Sequence, residues 1–400
     1  MPDSPRVLIA GAGPVGLAAA LRLAQLGVPV AVLERRIQLA RVERPSAWLP
    51  RTLEVFEQLG ILEGVLRTGL QVRRIAYLRA GATAPLAGFD LSLLAGEARF
   101  PFRLHLDQGS VAAVLAARLT AYPHVRLAFD AEVVGLEQDG AGVSVLVQSA
   151  LGERVERGAY LLAADGMDSA VRARLGIGLD GVSTAGRLLQ VATEVDLSGL
   201  LPGAAAATWI DSPAGWCGLL RMPDLWQIAV PLPDDESDAA ALDGRAVNAR
   251  LARFLPIGAA TLPLVTRKVR PVRRQVAVAY AAGRVLFAGD AAHLVQTRSG
   301  LNLNCGLHDA MRAAEALAAS LHRPQVAGEV LERYARERRL VATAQLLPCA
   351  DRAAPGDAAW AAALADVAAD PVRARDWLRS ACMLDVPGFR APARGPGLPA

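Results

Sequence analysis

Glycines and carboxylates at three distant points of this 400-residue chain have the spacing of a nucleotide-binding site. The first point is the run GAGPVG at 11–16, which follows the apolar segment 7–10 and precedes an acid at Glu34. Gly11 permits a sharp turn, Gly13 lets the backbone approach a diphosphate, and Gly16 lets a helix pack closely on a strand. The helix N-terminus attracts the diphosphate, and a carboxylate about 20 residues further on accepts ribose hydroxyls. The pattern predicts a strand–turn–helix–strand unit that binds a dinucleotide.

Two further acids follow apolar segments much later in the chain. Asp165-Gly166 comes after the run 160–164, and Gly289-Asp290 comes after the run 285–288. A carboxylate at the carboxyl end of a buried strand lies where open α/β sheets bind their ligands. We therefore expect both acids to meet the first glycine turn at one sheet edge. The run GIGLDG at 176–181 also fits the glycine pattern, but it leads into no helix, so we predict a single dinucleotide cradle.

The elements that position these residues follow from hydrophobic periodicity and turn residues. We predict strands at 7–10, 28–33, 160–164 and 285–288, and antiparallel strands from 125 to 162 with turns at Asp139-Gly140 and Leu151-Gly152. Helices are predicted from 14 to about 26, 51 to 59, 110 to 119, from Ser169, and from Asn304 or Cys305 to Leu321.

The predicted fold class is α/β, with a Rossmann-like, doubly wound dinucleotide-binding domain that carries inserted antiparallel strands, a mixed-sheet substrate domain and a helical C-terminal segment. Its parts are residues 1–176 (first part of the dinucleotide-binding domain, with 72–102 contributing to the substrate side), 177–269 (substrate domain), 270–345 (returning part of the first domain) and 346–400 (C-terminal segment and tail).

Composition excludes several other classes of protein. Four cysteines without CxxC spacing and five dispersed histidines predict no metal site and a reducing compartment. The formal charge is +4, but the arginines alternate with acids, so we predict no nucleic-acid partner. No window offers about 18 unbroken apolar residues, which predicts a cytoplasmic protein without a membrane span. A homodimer remains possible.

Three motifs in this order, GAGPVG with Glu34, ADGMDSAVR and GRVLFAGDAAH, resemble those of the FAD-dependent aromatic hydroxylases of the para-hydroxybenzoate hydroxylase type (class A flavoprotein monooxygenases). The resemblance extends to about residue 345 and includes ERYARERRLVA. It implies FAD as cofactor and NAD(P)H as co-substrate, without a separate Rossmann domain for the nicotinamide nucleotide. It also implies that O2 forms a flavin hydroperoxide that hydroxylates or epoxidises an aromatic or polyketide-like small molecule.

The resemblance also implies roles for individual residues. Leu303 and Asn304 would offer backbone N–H groups to the flavin C2=O, where a helix start can stabilise the negative charge of reduced flavin. No side chain is assigned as acid or base, and His293 is expected to be structural. The predicted cofactor-binding residues are Gly11, Gly13, Pro14, Val15, Gly16, Glu34, Arg35, Arg44, Arg51, Gln108, Asp165, Gly289, Asp290, Gly300, Asn302, Leu303 and Asn304.

The loop after GDAAH departs from the family pattern. Gln296-Thr297 replaces two prolines, Ser299 replaces a glycine and Asn302 replaces the last one. FAD binding is expected to survive these changes. Two functions therefore stay open: a monooxygenase, or a flavoprotein of the same fold that uses FAD structurally for a cyclisation or rearrangement in natural-product biosynthesis.

Overall fold

The computed structural model describes residues 7–39, 44–183, 186–257, 261–295, 300–348 and 358–385. Its strands are β1 Val7–Ala10, β2 Val30–Leu33, β3 Ala47–Trp48, β4 Leu70–Val72, β5 Arg74–Arg79, β6 Ala87–Asp90, β7 Arg103–His105, β8 Val125–Ala128, β9 Glu132–Gln138, β10 Val143–Ser149, β11 Gly152–Gly158, β12 Tyr160–Ala163, β13 Leu179–Val182, β14 Arg187–Thr193, β15 Ala207–Ser212, β16 Gly215–Arg221, β17 Trp226–Leu232, β18 Thr266–Pro271, β19 Arg274–Ala277, β20 Ala281–Ala282, β21 Val285–Phe287 and β22 His293–Leu294. Its helices are α1 Pro14–Gln25, α2 Pro50–Gln58, α3 Leu62–Thr68, α4 Gln108–Leu119, α5 Ala170–Arg174, α6 Asp238–Ala241, α7 Gly244–Leu251, α8 Leu301–His322, α9 Ala327–Val341, α10 Ala358–Ala369 and α11 Pro371–Ala381.

The first sheet is built from the apolar runs that the sequence identifies. Its strand order is β20-β21-β12-β1-β2-β8, and β1 pairs in parallel with both β12 and β2. Strand β21 pairs in parallel with β12, although more than 100 residues separate them in the chain. All four residues of β1, β2 and β12 are buried, as expected for parallel strands covered on both faces. Helices α1 and α8 pack against each other beside this sheet.

A second, seven-stranded sheet has the order β18-β14-β17-β16-β15-β5-β6. Strands β5 and β6 come from the early segment 74–90, and β5 pairs in parallel with β15. The alternation of buried and half-buried residues along β17 indicates one face in a core and the other partly open.

The C-terminal helices α10 and α11 pack against the second sheet through aromatic rings. Tyr77 of β5 stacks on Trp209 of β15 with ring centroids 5.4 Å apart, and Phe89 of β6 stacks on Trp377 of α11 at 4.1 Å. Trp360 of α10 contacts Tyr77 edge-on at 5.8 Å. We call these five residues the aromatic cluster. Large aromatic surfaces contribute strongly to burial, so this cluster fastens the C-terminal helices to the sheet.

The predicted fold class is confirmed: a parallel sheet with inserted antiparallel strands β9, β10 and β11, a mixed second sheet and C-terminal helices. Strand β2 begins two residues later than predicted, and β21 ends one residue earlier. The larger difference is α8, which begins at Leu301 rather than at Asn304 or Cys305. Gly300 precedes it with φ +67°, a backbone conformation that glycine adopts readily, so the chain turns into the helix earlier.

None of the helices in the described ranges is both long and apolar enough to cross a membrane. Gln296, Thr297 and Ser299, which mark the departure from the family loop, and the Pro/Gly-rich tail lie outside the described residues.

Candidate active site

The predicted acids meet at one edge of the first sheet. Strands β21, β12, β1 and β2 are neighbours and run parallel, so their carboxyl ends lie side by side. Asp290 follows β21 by three residues, Asp165 follows β12 by two, and Glu34 follows β2 directly. The glycine turn leaves the end of β1 between them. This is the edge at which open α/β sheets bind nucleotides.

The glycine turn is held by close backbone contacts. Gly11 has φ +100°, and a side chain there would overlap the carbonyl oxygen of Ala164. A side chain at Gly16 would overlap the carbonyl oxygen of Gly11, so the two glycines lock α1 against β1. Gly13 differs from both, because a Cβ placed on it would meet no atom within 4 Å. The space in front of Gly13 is open, as a cradle for a diphosphate requires.

Pro14 and Val15 start α1, and Gly13 is its N-cap without any side-chain cap. Within the described ranges no side chain caps the helix, so its first N–H groups can bind an anion. Val15 also contacts the third motif, since a Cβ on Gly289 would lie 2.9 Å from Val15 Cγ2. The first and third motifs thus meet at the start of α1.

Glu34 is connected to the glycine turn. Its Oε2 accepts a hydrogen bond from the N–H of Ala12 at 2.8 Å, and its Oε1 accepts from Arg36. The side chain is buried. Oε1 accepts both the N–H and the guanidinium of Arg36, whereas Oε2 keeps a second lone pair that can accept a ribose hydroxyl. Arg35 beside it is exposed.

Asp165 has one satisfied oxygen and one that lacks a partner. Oδ2 accepts from the N–H of Val171 at 3.2 Å, whereas Oδ1 is buried and has no hydrogen-bond partner in the part of the chain that the structure describes. Burial raises the pKa of this carboxyl. Arg172 ties the same turn to the third motif, because its guanidinium donates to the carbonyl oxygens of Met167 at 2.9 Å and Ala291 at 3.0 Å.

Asp290 faces the start of α8. Its Oδ1 accepts from Nδ2 of Asn302 at 2.7 Å, and burial raises its pKa against the opposing influence of His293 and Arg44. The Asn302 oxygen accepts from the N–H of Val295 at 3.0 Å. Asn302, which replaces a glycine of the family pattern, therefore links the third motif to α8.

Asn304 holds the N-terminus of α8 in place. Its amide nitrogen donates to the carbonyl oxygens of Ala47 at 2.9 Å and Gly300 at 2.7 Å. Its oxygen accepts from the Leu49 N–H at 2.9 Å and the Thr52 hydroxyl at 2.6 Å. The side chain is thus fully used within the protein, which leaves only backbone groups of this turn for a ligand. Leu303, which precedes it, is half-buried within the same first turn.

The remaining predicted residues lie in the segments around this edge but differ in their partners. Arg51 donates to Glu54 at 2.8 Å and to the carbonyl oxygen of Glu97 at 3.1 Å, so its charge is already paired. Gln108, the first residue of α4, donates to the Ser46 hydroxyl at 3.1 Å and bonds through its N–H to the Arg44 carbonyl oxygen. Arg44 is half-buried and lowers the pKa of Asp290, so it is the stronger candidate for a diphosphate contact.

His293, Cys305 and Asp309 form a buried group whose potential ligand atoms lie within 4.8 Å of one another. A guanidinium already contacts this group, because Arg338 donates to Asp309 at 2.6 Å and to the Cys305 sulfur at 3.4 Å. The Arg338 guanidinium supplies the positive charge that a metal ion would supply, and it donates hydrogen bonds to Asp309 and Cys305, two of the groups that would bind the metal. We therefore interpret the group as a hydrogen-bonded network.

These residues fit a bound FAD. Gly13 leaves room for a diphosphate at a free helix N-terminus, and the buried Asp165 Oδ1 lacks the donor that a bound hydroxyl would supply. FAD supplies electron transfer and oxygen chemistry when it is bound, and the protein supplies position and electrostatics.

Comparison with known proteins agrees with this geometry. A family model described as a FAD binding domain matches residues 5–347. This chain belongs to the family of FAD-dependent aromatic hydroxylases. It is 31% identical over 339 residues to a para-nitrophenol 4-monooxygenase of Pseudomonas sp. strain WBC-3, covering 84% of this chain and 83% of the relative.

Two solved structures of the family extend the comparison. A p-nitrophenol 4-monooxygenase from Pseudomonas putida DLL-E4 aligns with a TM-score of 0.89 at 28% identity, over 98% of this chain and 99% of that one. An aklavinone-11 hydroxylase in complex with FAD and aklavinone aligns with a TM-score of 0.78 at 27% identity, over 88% and 69%. The chain is a FAD-dependent monooxygenase, with the NAD(P)H co-substrate that is typical of the family.

Sequence reasoning assigned no role to several residues that build this site. Arg172 bridges two motifs, and Arg338 with Asp309 forms a buried ion pair 29 residues apart. Both arginines lie inside motifs quoted for the resemblance, ADGMDSAVR and ERYARERRLVA. Their position within helices does not distinguish them from surface arginines, because Ala291 and Asp309, the partners that show their role, lie far along the chain.

Proposed function

We propose that this monooxygenase hydroxylates a phenolic ring, and that the ring binds between the aromatic cluster and the start of α8. The observation that carries the proposal is one continuous apolar cluster. It joins Tyr77 and Phe89 of the second sheet to Val295 and Leu301 beside the cofactor edge. An aromatic ring that binds against this surface lies next to the segment that we predict to hold the flavin.

The aromatic cluster suits such a substrate chemically. Stacked and edge-on rings accept a further ring in the same geometries, with a gain of about 1 kcal/mol beyond burial. Tyr77 and Trp209 are stacked at 5.4 Å, and Trp209 is only half-buried. The relatives act on rings of different size according to their names, a nitrophenol in one case and aklavinone in the other. The near-complete coverage in both directions with the nitrophenol enzyme favours a single ring here.

The first sheet and its edge would perform the cofactor part of the reaction. Gly13 and the start of α1 would hold the diphosphate, Glu34 the adenosine ribose and Asp290 the ribityl chain. The first turn of α8, with Leu303 and Asn304, would present its N–H groups to the flavin pyrimidine, where they stabilise negative charge. A reducing cytoplasmic setting is part of the proposal, supported by the buried free thiols of Cys217, Cys305 and Cys382. The absence of a nucleic-acid partner and the possible homodimer stay predictions.

The experiment is turnover of the purified FAD-loaded protein with NADH and NADPH, in the presence of single-ring phenols such as para-nitrophenol and of polycyclic phenols. We expect a phenol to accelerate reduction of the flavin band, and the product to carry one oxygen atom from 18O2 by mass spectrometry. Oxidation of NAD(P)H with only hydrogen peroxide as product would show that the tested ring is not oxygenated. Flavin that NAD(P)H never bleaches with any ring present would refute the proposal and favour the non-redox function, which the named relatives do not support.

A further inference from the structure

His293 is buried between two oxygen acceptors. Its Nδ1 lies 2.8 Å from Oδ1 of Asn302, and its Nε2 lies 2.7 Å from Oδ2 of Asp309. The side chain has no exposed surface. A neutral imidazole carries a proton on only one nitrogen and could donate to only one of the two oxygens.

The orientation of the Asn302 amide follows from its other partners. The N–H of Val295 donates to one amide atom at 3.0 Å, so that atom must be the oxygen. The opposite amide atom lies 2.7 Å from Oδ1 of Asp290, where an NH2 group finds an acceptor. The reversed amide would point its NH2 at the Val295 N–H and lose that bond. The atom that faces Nδ1 of His293 is therefore an acceptor, and Nδ1 carries a proton.

The other partner of His293 is an ionised carboxylate. Burial alone would raise the pKa of Asp309, but Arg338 and His293 outweigh burial and lower it to about 2. Arg338 donates to Oδ1 at 2.6 Å, and the Gly289 N–H donates to Oδ2 at 3.1 Å. An ionised carboxylate only accepts hydrogen bonds, so Nε2 of His293 carries a proton as well.

We propose that His293 is a permanently protonated imidazolium that positions FAD, because through Asn302 it holds both Asp290 and the first turn of α8. It is a positioning residue, since it acts through Asn302 and has no predicted contact with FAD. Its protonation follows from the two acceptors and from the negative charge of Asp309, which is paired with Arg338, whereas its effect on the cofactor rests on the proposed roles of Asp290 and α8.

The charged groups around His293 are the guanidinium of Arg338 and the carboxyls of Asp309 and Asp290, and Arg44 also acts on Asp290. Burial opposes the imidazolium charge, but the Cys305 sulfur and Asp309 outweigh burial and raise the pKa of His293 well above its usual value.

Two tyrosines complete the surroundings of the ring. The ring of Tyr280 lies parallel to that of His293 with centroids 6.4 Å apart, and Tyr334 donates its hydroxyl to the carbonyl oxygen of Phe287. Burial raises the pKa of both tyrosines well above the usual value, so neither supplies a charge at neutral pH.

Nitrogen-15 NMR of the full-length FAD-loaded protein, labelled at histidine, tests the protonation state directly. At pH 9 an ordinary histidine with a pKa of about 6.5 is neutral. We expect one of the five histidines to keep both ring nitrogens protonated at pH 9, and His293→Gln to lose that signal. His322→Gln, at the exposed end of α8, is the control and should retain it. Wild-type protein with no imidazolium signal at pH 9 would overturn the proposal.

The positioning role has a second readout, the affinity for FAD. Hydrogen bonds to charged groups are stronger than those between neutral groups, so His293→Gln is expected to weaken FAD binding about tenfold or more, and His322→Gln not at all. Equal FAD affinity in both variants would overturn the positioning role.

Asp309→Asn is the second variant, to be used if His293→Gln does not fold. It removes the carboxylate charge beside His293, while the asparagine oxygen can still accept from the Gly289 N–H. In that variant the imidazolium should lose its proton between pH 5 and 9. An unchanged signal would contradict the argument. None of these measurements depends on turnover, so they separate this proposal from a failure to find the phenolic substrate.

Discussion

Gly13 and Gly16 lie three residues apart in one turn, yet alanine at each position should affect a different property. Gly16→Ala should lower the stability of the fold, and Gly13→Ala should lower the affinity for FAD. At Gly16 the new methyl group would overlap the carbonyl oxygen of Gly11 and come within 3.4 Å of the Ile9 side chain. Neither neighbour can move freely, since one is backbone and the other belongs to a fully buried strand. At Gly13 the backbone has φ −73° and ψ 174°, which any residue adopts, and the methyl group meets nothing within 4 Å.

The magnitudes follow from this contrast. Forcing a group into a packed interior costs about 1–3 kcal/mol and more where backbone must shift, so Gly16→Ala should lose about 3 kcal/mol or more of unfolding free energy. Gly13→Ala should stay within about 0.5 kcal/mol of the wild type, because the new methyl group meets no neighbour and the backbone needs no strain. Its methyl group would instead stand where the diphosphate approaches the backbone. We expect FAD affinity to fall about 100-fold, equivalent to about 2.7 kcal/mol.

Urea unfolding without added FAD and fluorescence titration with FAD measure the two effects separately. Gly88→Ala in the second sheet is the control, because a Cβ at Gly88 meets no atom within 4 Å and its φ is not positive. Its stability and its FAD affinity should both remain near those of the wild type. Gly27→Ala is unsuitable because Gly27 has φ +74°. Wild-type FAD affinity in Gly13→Ala would refute the idea that the diphosphate lies against this turn. Wild-type stability in Gly16→Ala would refute the packing argument.

Two further predictions concern stability. Asn304→Ala removes the partner of four buried or partly buried groups and should lower the free energy of unfolding in urea by about 4 kcal/mol. The control Asn248→Ala, which loses the bonds to Gly244 and Leu262, should lower it by about 1 kcal/mol. Equal losses would contradict the role of Asn304 at the start of α8. Burial lowers the pKa of His105 to about 4, so the folded state binds this proton less readily than the unfolded state, whose pKa is about 6.5. The contribution of neutral His105 to the free energy of unfolding is complete above pH 6.5 and falls by about 1.4 kcal/mol per pH unit as the pH drops towards 4. His105→Gln should flatten the measured pH dependence of stability by that amount. A pH profile of the variant parallel to that of the wild type would show that the histidine is not buried in its neutral form.

The cofactor edge could be predicted from sequence because each of its parts is encoded locally. A buried strand, a turn residue and an acid occupy consecutive positions at Asp165 and at Asp290, and parallel pairing brings strand ends of the same direction together. This prediction does not depend on contacts with residues that are distant in the sequence. The order β21-β12-β1-β2 itself was not predicted and comes from the structure.

The roles of individual side chains at this edge could not be predicted in the same way, because their partners are distant. Asn304 was assigned through its backbone, whereas its side chain bonds to residues more than 250 positions away in sequence. The resemblance places Arg51 among the cofactor-binding residues, and this stays a prediction, but the sequence did not show that Glu54 three residues later would pair with it. The start of α8 was placed three residues late because Gly300 was treated as part of a loop, although a glycine with positive φ can end that loop at once.

The two halves of the proposed site differ in how the chain builds them. The cofactor edge is fixed by glycine contacts and by the network around Asp309, all within the residues 5–347 that match the family model. The aromatic cluster takes Trp360 and Trp377 from helices α10 and α11, beyond that match. If the ring binds as proposed, substitutions in these helices would alter the surface that faces it without touching Gly13, Asp165 or Asp290. We therefore expect relatives with different aromatic substrates to share the cofactor edge and to differ most in the C-terminal helices, where a change of ring size costs no cofactor affinity.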